Sequence, residues 1–225
     1  MTKTLAFVHT SPVLVPMFTQ LATERLPGVR FFHMVDESLI KNTIAEGSMS
    51  KPTAMRVLRM IESAEHGGAD AVLVTCSSIG EAVTNSRPFI GIPVLRVDEA
   101  MAEAAVTRAS KRVGVAATVR TTLEPTLRLL RQTAERLAKP VEIEPCLCEG
   151  AFEAVLSGRT EEHDRLVSTA LQALLGRTDT VVLAQASMVR VLESMPASET
   201  PIFTSPRLAV ESARKALFWE SISAS

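Results

Sequence analysis

No basic block interrupts this sequence. Its 24 Lys and Arg stand against 25 Asp and Glu, a formal net charge of −1, so neither nucleic acid nor an anionic membrane surface finds an electrostatic footprint. No apolar run approaches the roughly 18 residues of a membrane span. The apolar stretch in the opening MTKTLAFVHTSPVLVPMF is broken by His9, Ser11 and Pro12 and lacks an A-x-A cleavage site, so it reads as a first strand and not as an export signal. Cysteine is scarce and odd in number, with three in 225 residues, which speaks against a disulfide framework and for a reducing cytoplasm. There is no G-x-G-x-x-G, no P-loop, and no lysine in a strand-end motif where a Schiff base would form, so no organic cofactor is expected. Cys146 and Cys148 form a C-x-C pair with only His163 near in sequence, too few ligands for zinc, so no metal is expected either. Low-complexity segments are absent. What remains is 46% hydrophobic and 22% charged, an ordinary globular composition long enough for one large domain or two small ones.

The chain is organised around residues 71–81, AVLVTCSSIGE. Four apolar residues mark a strand covered on both faces, and Thr75, Cys76, Ser77 and Ser78 form a run of small polar groups at its carboxyl end, where open α/β sheets bind ligands. Ser78 followed by Glu81 reads as a capping box, which would open a helix with its N–H groups near the Cys76 sulfur. That setting lowers a thiol pKa from about 8.5, making Cys76 a candidate thiolate. The alternative is a buried structural cysteine.

A second stretch has the same plan. Residues 180–188, TVVLAQASM, lie over 71–79 at an offset of 109, with Gln185 opposite Cys76. The opening strand repeats too, since KTLAFVHT at 3–10 matches KRVGVAAT at 111–118 at an offset of 108. Two pairs at nearly one offset indicate duplicated halves. Four strand ends would then line a site in the cleft between them: His9, Thr10 and Ser11; Cys76, Ser77 and Ser78; Thr118 with Thr121 and Thr122; and Gln185, Ala186 and Ser187.

A chain of this length with two repeated α/β halves, an apolar-apolar-x-T-C-S/N-S element in the first and a G-C-[AT]-x-M-like element in the second, resembles the aspartate/glutamate/hydantoin racemase superfamily. The resemblance covers nearly the whole chain. It implies two pseudo-symmetric lobes, each a flavodoxin-like, mostly parallel sheet flanked by helices, with residues 1–98 plus 205–225 in the first and 99–204 in the second. It implies cofactor-independent chemistry by one cysteine per half, on opposite faces of a small carboxylate or hydantoin. This chain keeps Cys76 and has Gln185 where the second cysteine would stand. Gln185 has no accessible pKa, so it can only orient or hydrogen-bond, and two-base chemistry is in question. His9 is the substitute base in the sequence, or else a hydrogen-bonded structural residue. A single thiol suffices for one-sided protonation after decarboxylation, or for addition to a double bond followed by rotation and release. Relatives that decarboxylate keep their cysteine in the second half, and those that isomerise a double bond keep both. A non-catalytic metabolite-binding descendant is the reading from another class.

The hydroxyl residues Thr10, Ser11, Ser77, Ser78, Thr118, Thr121 and Ser187 supply donors for a carboxylate whose α-carbon carries negative charge. Each alone is an ordinary helix-cap residue, and their clustering carries the weight. The expected partner is thus a small carboxylate substrate, with homo-oligomerisation left open. Among local expectations are a loop with a short helix over 36–46, a helix over 54–66, and a helix beyond Gln185 over 187–195. Cys76 is expected to be the most reactive of the three thiols.

Overall fold

The runs of consecutive apolar residues become strands covered on both faces in the computed structural model, which describes residues 2–222. β1 (Thr4–His9), β3 (Ala71–Val74) and β7 (Thr180–Leu183) are buried along their whole length. One sheet has the order β2-β1-β3-β4, with β2 (Arg30–Val35) and β4 (Val94–Arg96) at its edges. The other runs β6-β5-β7-β8, adding β5 (Arg112–Ala117), β6 (Glu142–Leu147) and β8 (Ile202–Thr204). Every neighbouring pair is parallel. In each sheet the strand order turns back between the two central strands, and it is at such a switch point that a ligand meets the carboxyl ends. The fold is therefore α/β, with two parallel four-stranded sheets flanked by helices.

The chain divides into two compact units, 1–98 with 206–225 and 99–205. In the first, β1 alternates its side chains between two cores, as a strand of period two must. Leu5 and Phe7 meet Phe18 of α1 (Val15–Arg25) and Ala209, Ala213 and Leu217 of α9 (Ser205–Ile222). Ala6 and Val8 meet Leu39 of α2 (Glu37–Ala45) and Val57 and Ile61 of α3 (Lys51–His66). Burying a side chain such as Phe7 or Leu217 contributes roughly 1.5–3 kcal/mol, against 0–1 for an exposed ion pair. Apolar contact therefore holds α9 to this unit more firmly than the 3.6 Å Arg25–Glu211 pair does. α4 (Gly80–Ser86) completes the first unit. The second carries α5 (Glu99–Arg108), α6 (Arg120–Arg136), α7 (Ala151–Leu156) and α8 (Thr160–Leu175), with Val167, Leu171 and Leu174 packed on Val181 and Leu183. No described helix is long and apolar enough to cross a membrane.

Duplication is written in the hydrogen bonds as well. The Asp70 carboxylate accepts from the Thr4 N–H at 2.7 Å, and the Asp179 carboxylate accepts from the Arg112 N–H at 2.6 Å. Each aspartate, one residue ahead of a central strand, ties that strand to the start of its neighbour.

Three local expectations are revised. Residues 37–45 form a full helix, because Asp36 caps it by accepting from the Ser38 N–H at 3.0 Å. The helix expected over 54–66 begins three residues earlier at Lys51, with Pro52 in its first turn, where a missing N–H costs nothing. The helix expected over 187–195 is a 3-10 helix over 186–194.

Candidate functional site

Cys76 follows β3 and stands beside the residues that follow β1, because the Thr75 N–H continues the ladder to the Val8 carbonyl at 3.0 Å. Its backbone is extended (φ −128°, ψ 117°), and the chain then turns tightly through a 3-10 segment, Ser77–Ile79, before α4 begins at Gly80. The tight turn is what aims donors at the sulfur. The backbone N–H groups of Ser78 and Ile79 and the hydroxyls of Thr10 and Ser78 are all placed to donate to it when it is charged.

Two sequence expectations are corrected here. Ser78 is not a helix N-cap, since Cys76 precedes the 3-10 turn and Ile79 precedes α4, and the Ser78 hydroxyl serves the thiol. Nor is the thiol acidified. Burial, the largest influence, pushes its pKa up, and the four hydrogen bonds offset that only in part. The residue keeps some surface exposure while the sulfur itself is enclosed.

His9 ends β1 fully buried. Its Nδ1 lies 2.8 Å from Thr75 Oγ1, its Nε2 lies 2.8 Å from His33 Nδ1, and His33 Nε2 lies 2.9 Å from Thr19 Oγ1. The Thr75 hydroxyl donates to the Val8 carbonyl at 3.3 Å. The consistent tautomers then have His9 Nδ1–H donating to Thr75, His33 Nδ1–H to His9, and Thr19 O–H to His33. Desolvation, reinforced by the neighbouring His33, lowers the His9 pKa to about 4, and desolvation lowers that of His33 as well. Both His9 nitrogens are thus engaged, and the Thr75 hydroxyl is committed to His9 and the Val8 carbonyl. His33 and Thr19 were not singled out from the sequence. The available signal was parity, since His33 is in register with Phe7 and therefore shares a face with His9.

In the second unit the Gln185 Oε1 accepts from the Thr118 N–H at 2.7 Å and the Thr118 hydroxyl at 3.0 Å. Thr118 follows β5 as Thr10 follows β1, and Gln185 follows β7 as Cys76 follows β3. The repeat therefore reproduces a bond: threonine to cysteine in one unit, threonine to glutamine in the other. Thr118, Thr122 and Ala186 are buried, Gln185 is half-buried and Ser187 is exposed. The Thr121 hydroxyl is buried with no hydrogen-bond partner among the described residues. In the first unit Ser77 and Ser78 are buried beside Thr10, and Ser11 is half-exposed with no side-chain cap bond.

The model of the Asp/Glu/hydantoin racemase family matches residues 9–213. Comparison with the curated proteins finds no match. Among solved structures, a glutamate racemase from Bacillus anthracis is similar at TM-score 0.77 and 18% identity, over 98% of this chain and 83% of that one. The aspartate racemase of Picrophilus torridus is similar at 0.67 and 14%, over 95% and 94%. An allantoin racemase from Klebsiella pneumoniae is similar at 0.66 and 16%, over 99% and 88%. At these identities the solved structures show the fold, and the family is shown by the model match across most of the chain. This chain belongs to the Asp/Glu/hydantoin racemase family, a family of isomerases.

Proposed function

We propose that the chain is a cofactor-independent isomerase of the racemase or epimerase kind, acting at the carbon next to a carboxylate of a small acid or amino-acid derivative. Cys76 is its thiol acid/base. The observation that carries this reading is the set of four donors, from Thr10, Ser78 twice and Ile79, converging on one sulfur at a strand's carboxyl end. A structural cysteine has no use for four donors, whereas a sulfur that alternates between thiol and thiolate needs them when charged. Burial keeps it protonated at rest and makes the thiolate, once formed, a stronger base toward a C–H bond. Thr10, Ser11, Ser77 and Ser78 in the first unit and Thr118, Thr121, Thr122, Ala186 and Ser187 in the second are the proposed substrate-binding residues. Gln185, its oxygen committed to Thr118, has only N–H donors to offer a ligand oxygen. His9 acts by holding Thr75 and the end of β1, in preference to acting as a base, because a neutral ring with both nitrogens engaged has no lone pair to give.

A second reading has support in the same geometry. A thiol protonated at rest, with a non-titrating glutamine at the equivalent position, suits one-sided proton delivery after loss of carbon dioxide. A binding protein without catalysis would need neither. The test is deuterium incorporation from heavy water into a panel of small α-substituted carboxylates and hydantoins, with carbon dioxide release followed in parallel. Exchange is expected from the native protein, and Cys76→Ala should slow it by about 10²–10⁴, the usual worth of a general acid–base group. Exchange that survives Cys76→Ala would remove the thiol from the mechanism. Saturable binding without exchange or gas release would favour the binding protein.

A further inference from the structure

Cys146 and Cys148 are the two thiols that this chemistry leaves unused. They lie on and just beyond β6, an edge strand, two residues apart, so their side chains leave the same face. Cys148 is buried and Cys146 only half so. With both side chains on one face, a protonated Cys148 can donate to a Cys146 thiolate. That bond, with help from the Arg177 guanidinium, brings the Cys146 thiol down to about 7 against the opposing effects of burial and Glu144, while Cys148 is pushed up. Arg177 is itself paired with Glu144 at 2.8 Å.

The arrangement has the asymmetry of an attacking thiol backed by a resolving one. Two residues of extended chain span about 6.6 Å, within the roughly 4.4–6.8 Å between α-carbons that a disulfide accepts. No group of three or more His, Cys, Asp or Glu among the described residues could hold a metal ion, so coordination does not compete for these sulfurs.

We propose that Cys146 and Cys148 form a peroxide-reactive dithiol, separate from the Cys76 site, that closes to an intramolecular disulfide. The Cys146 thiolate attacks hydrogen peroxide: an S–O bond forms, the O–O bond breaks, and hydroxide leaves. The Cys148 sulfur then attacks the Cys146 sulfenic acid: the S–S bond forms, the S–O bond breaks, and the hydroxide departs with the Cys148 proton as water. Two thiols are oxidised and one peroxide is reduced to two waters. A bridge near the upper limit of separation belongs to the readily reduced kind, so a small thiol reverses it.

The test treats the full-length protein with a small excess of hydrogen peroxide at neutral pH and reads its peptides by mass spectrometry. The peptide carrying both cysteines should lose two hydrogens without gaining oxygen, recover with dithiothreitol, and do so before Cys76 changes. In Cys148→Ser, dimedone should trap a sulfenic acid on Cys146. In Cys146→Ser, oxidation of Cys148 should be slower by about tenfold or more, because the protonated thiol is a poor nucleophile. Oxidation of Cys76 ahead of the pair, or oxygen accumulating on Cys146 while Cys148 stays reduced, would overturn the proposal. The native peptide map decides even if a variant fails to fold.

Discussion

His9 is held neutral inside the first unit, and that has a consequence for stability. Its pKa is near 4 when folded and about 6.5 when unfolded. Above pH 6.5 the residue is neutral in both states and its contribution is fully present. As the pH falls below 6.5 the unfolded chain takes up the proton first, and stability is lost until the folded residue also titrates, for a total of about 3 kcal/mol. His9→Gln should flatten this loss, measured as the difference in urea midpoints between pH 7 and pH 4.5. Equal differences in native protein and variant would show that the ring is not what titrates. Thiol reactivity is decided at the same scale. Cys146, half-exposed and brought down to about 7, should react with limiting iodoacetamide before Cys76, whose burial raises its pKa, and before Cys148. This reverses the order expected from sequence. Strand-end position and small polar neighbours were legible at Cys76, but desolvation is the work of residues distant in the chain, and it outweighs the local donors. First labelling at Cys76 would restore the sequence expectation.

At the start of α4 one glycine protects a buried ion pair. Arg96, at the end of β4, donates to both Asp98 carboxylate oxygens, at 3.0 and 2.9 Å, and to Thr84 Oγ1 at 3.2 Å. Its guanidinium lies so close over Gly80 that a β-carbon there would come within 2.5 Å of Nη2. Gly80→Ala sets two effects against each other. Alanine favours a helix by about 1 kcal/mol over glycine, while displacing the arginine from a carboxylate with no exposed surface costs about 3 kcal/mol or more. The second is larger, so urea unfolding should show a net loss of about 2 kcal/mol or more. A variant as stable as the native protein would mean that Arg96 can move aside without losing Asp98. A strand over residues 90–97 was legible from its apolar residues, although only Val94–Arg96 form one. The close approach was not, because it joins residues sixteen apart through side-chain volume.

Across the whole molecule, the two units share one plan down to the bonds that close it. Asp70 and Asp179 secure the strand starts, and the pairs Thr10–Cys76 and Thr118–Gln185 join the strand ends. With acid–base groups and hydroxyl donors supplied by the chain itself, turnover on any substrate found by the heavy-water test should survive extensive dialysis against a chelator. Loss of activity that added zinc restores would overturn the cofactor-independent proposal. The duplication, the parallel strands and the polar ends were readable in the sequence because they rest on short-range patterns: apolar runs that must be covered on both faces, followed by small polar residues. Those patterns also carried the family resemblance. The His9–His33 relay, the protonated state of Cys76 and the acidity of Cys146 were decided only by the tertiary structure. Each depends on which distant groups exclude water from a titratable atom or donate a hydrogen bond to it, and no local spacing encodes that.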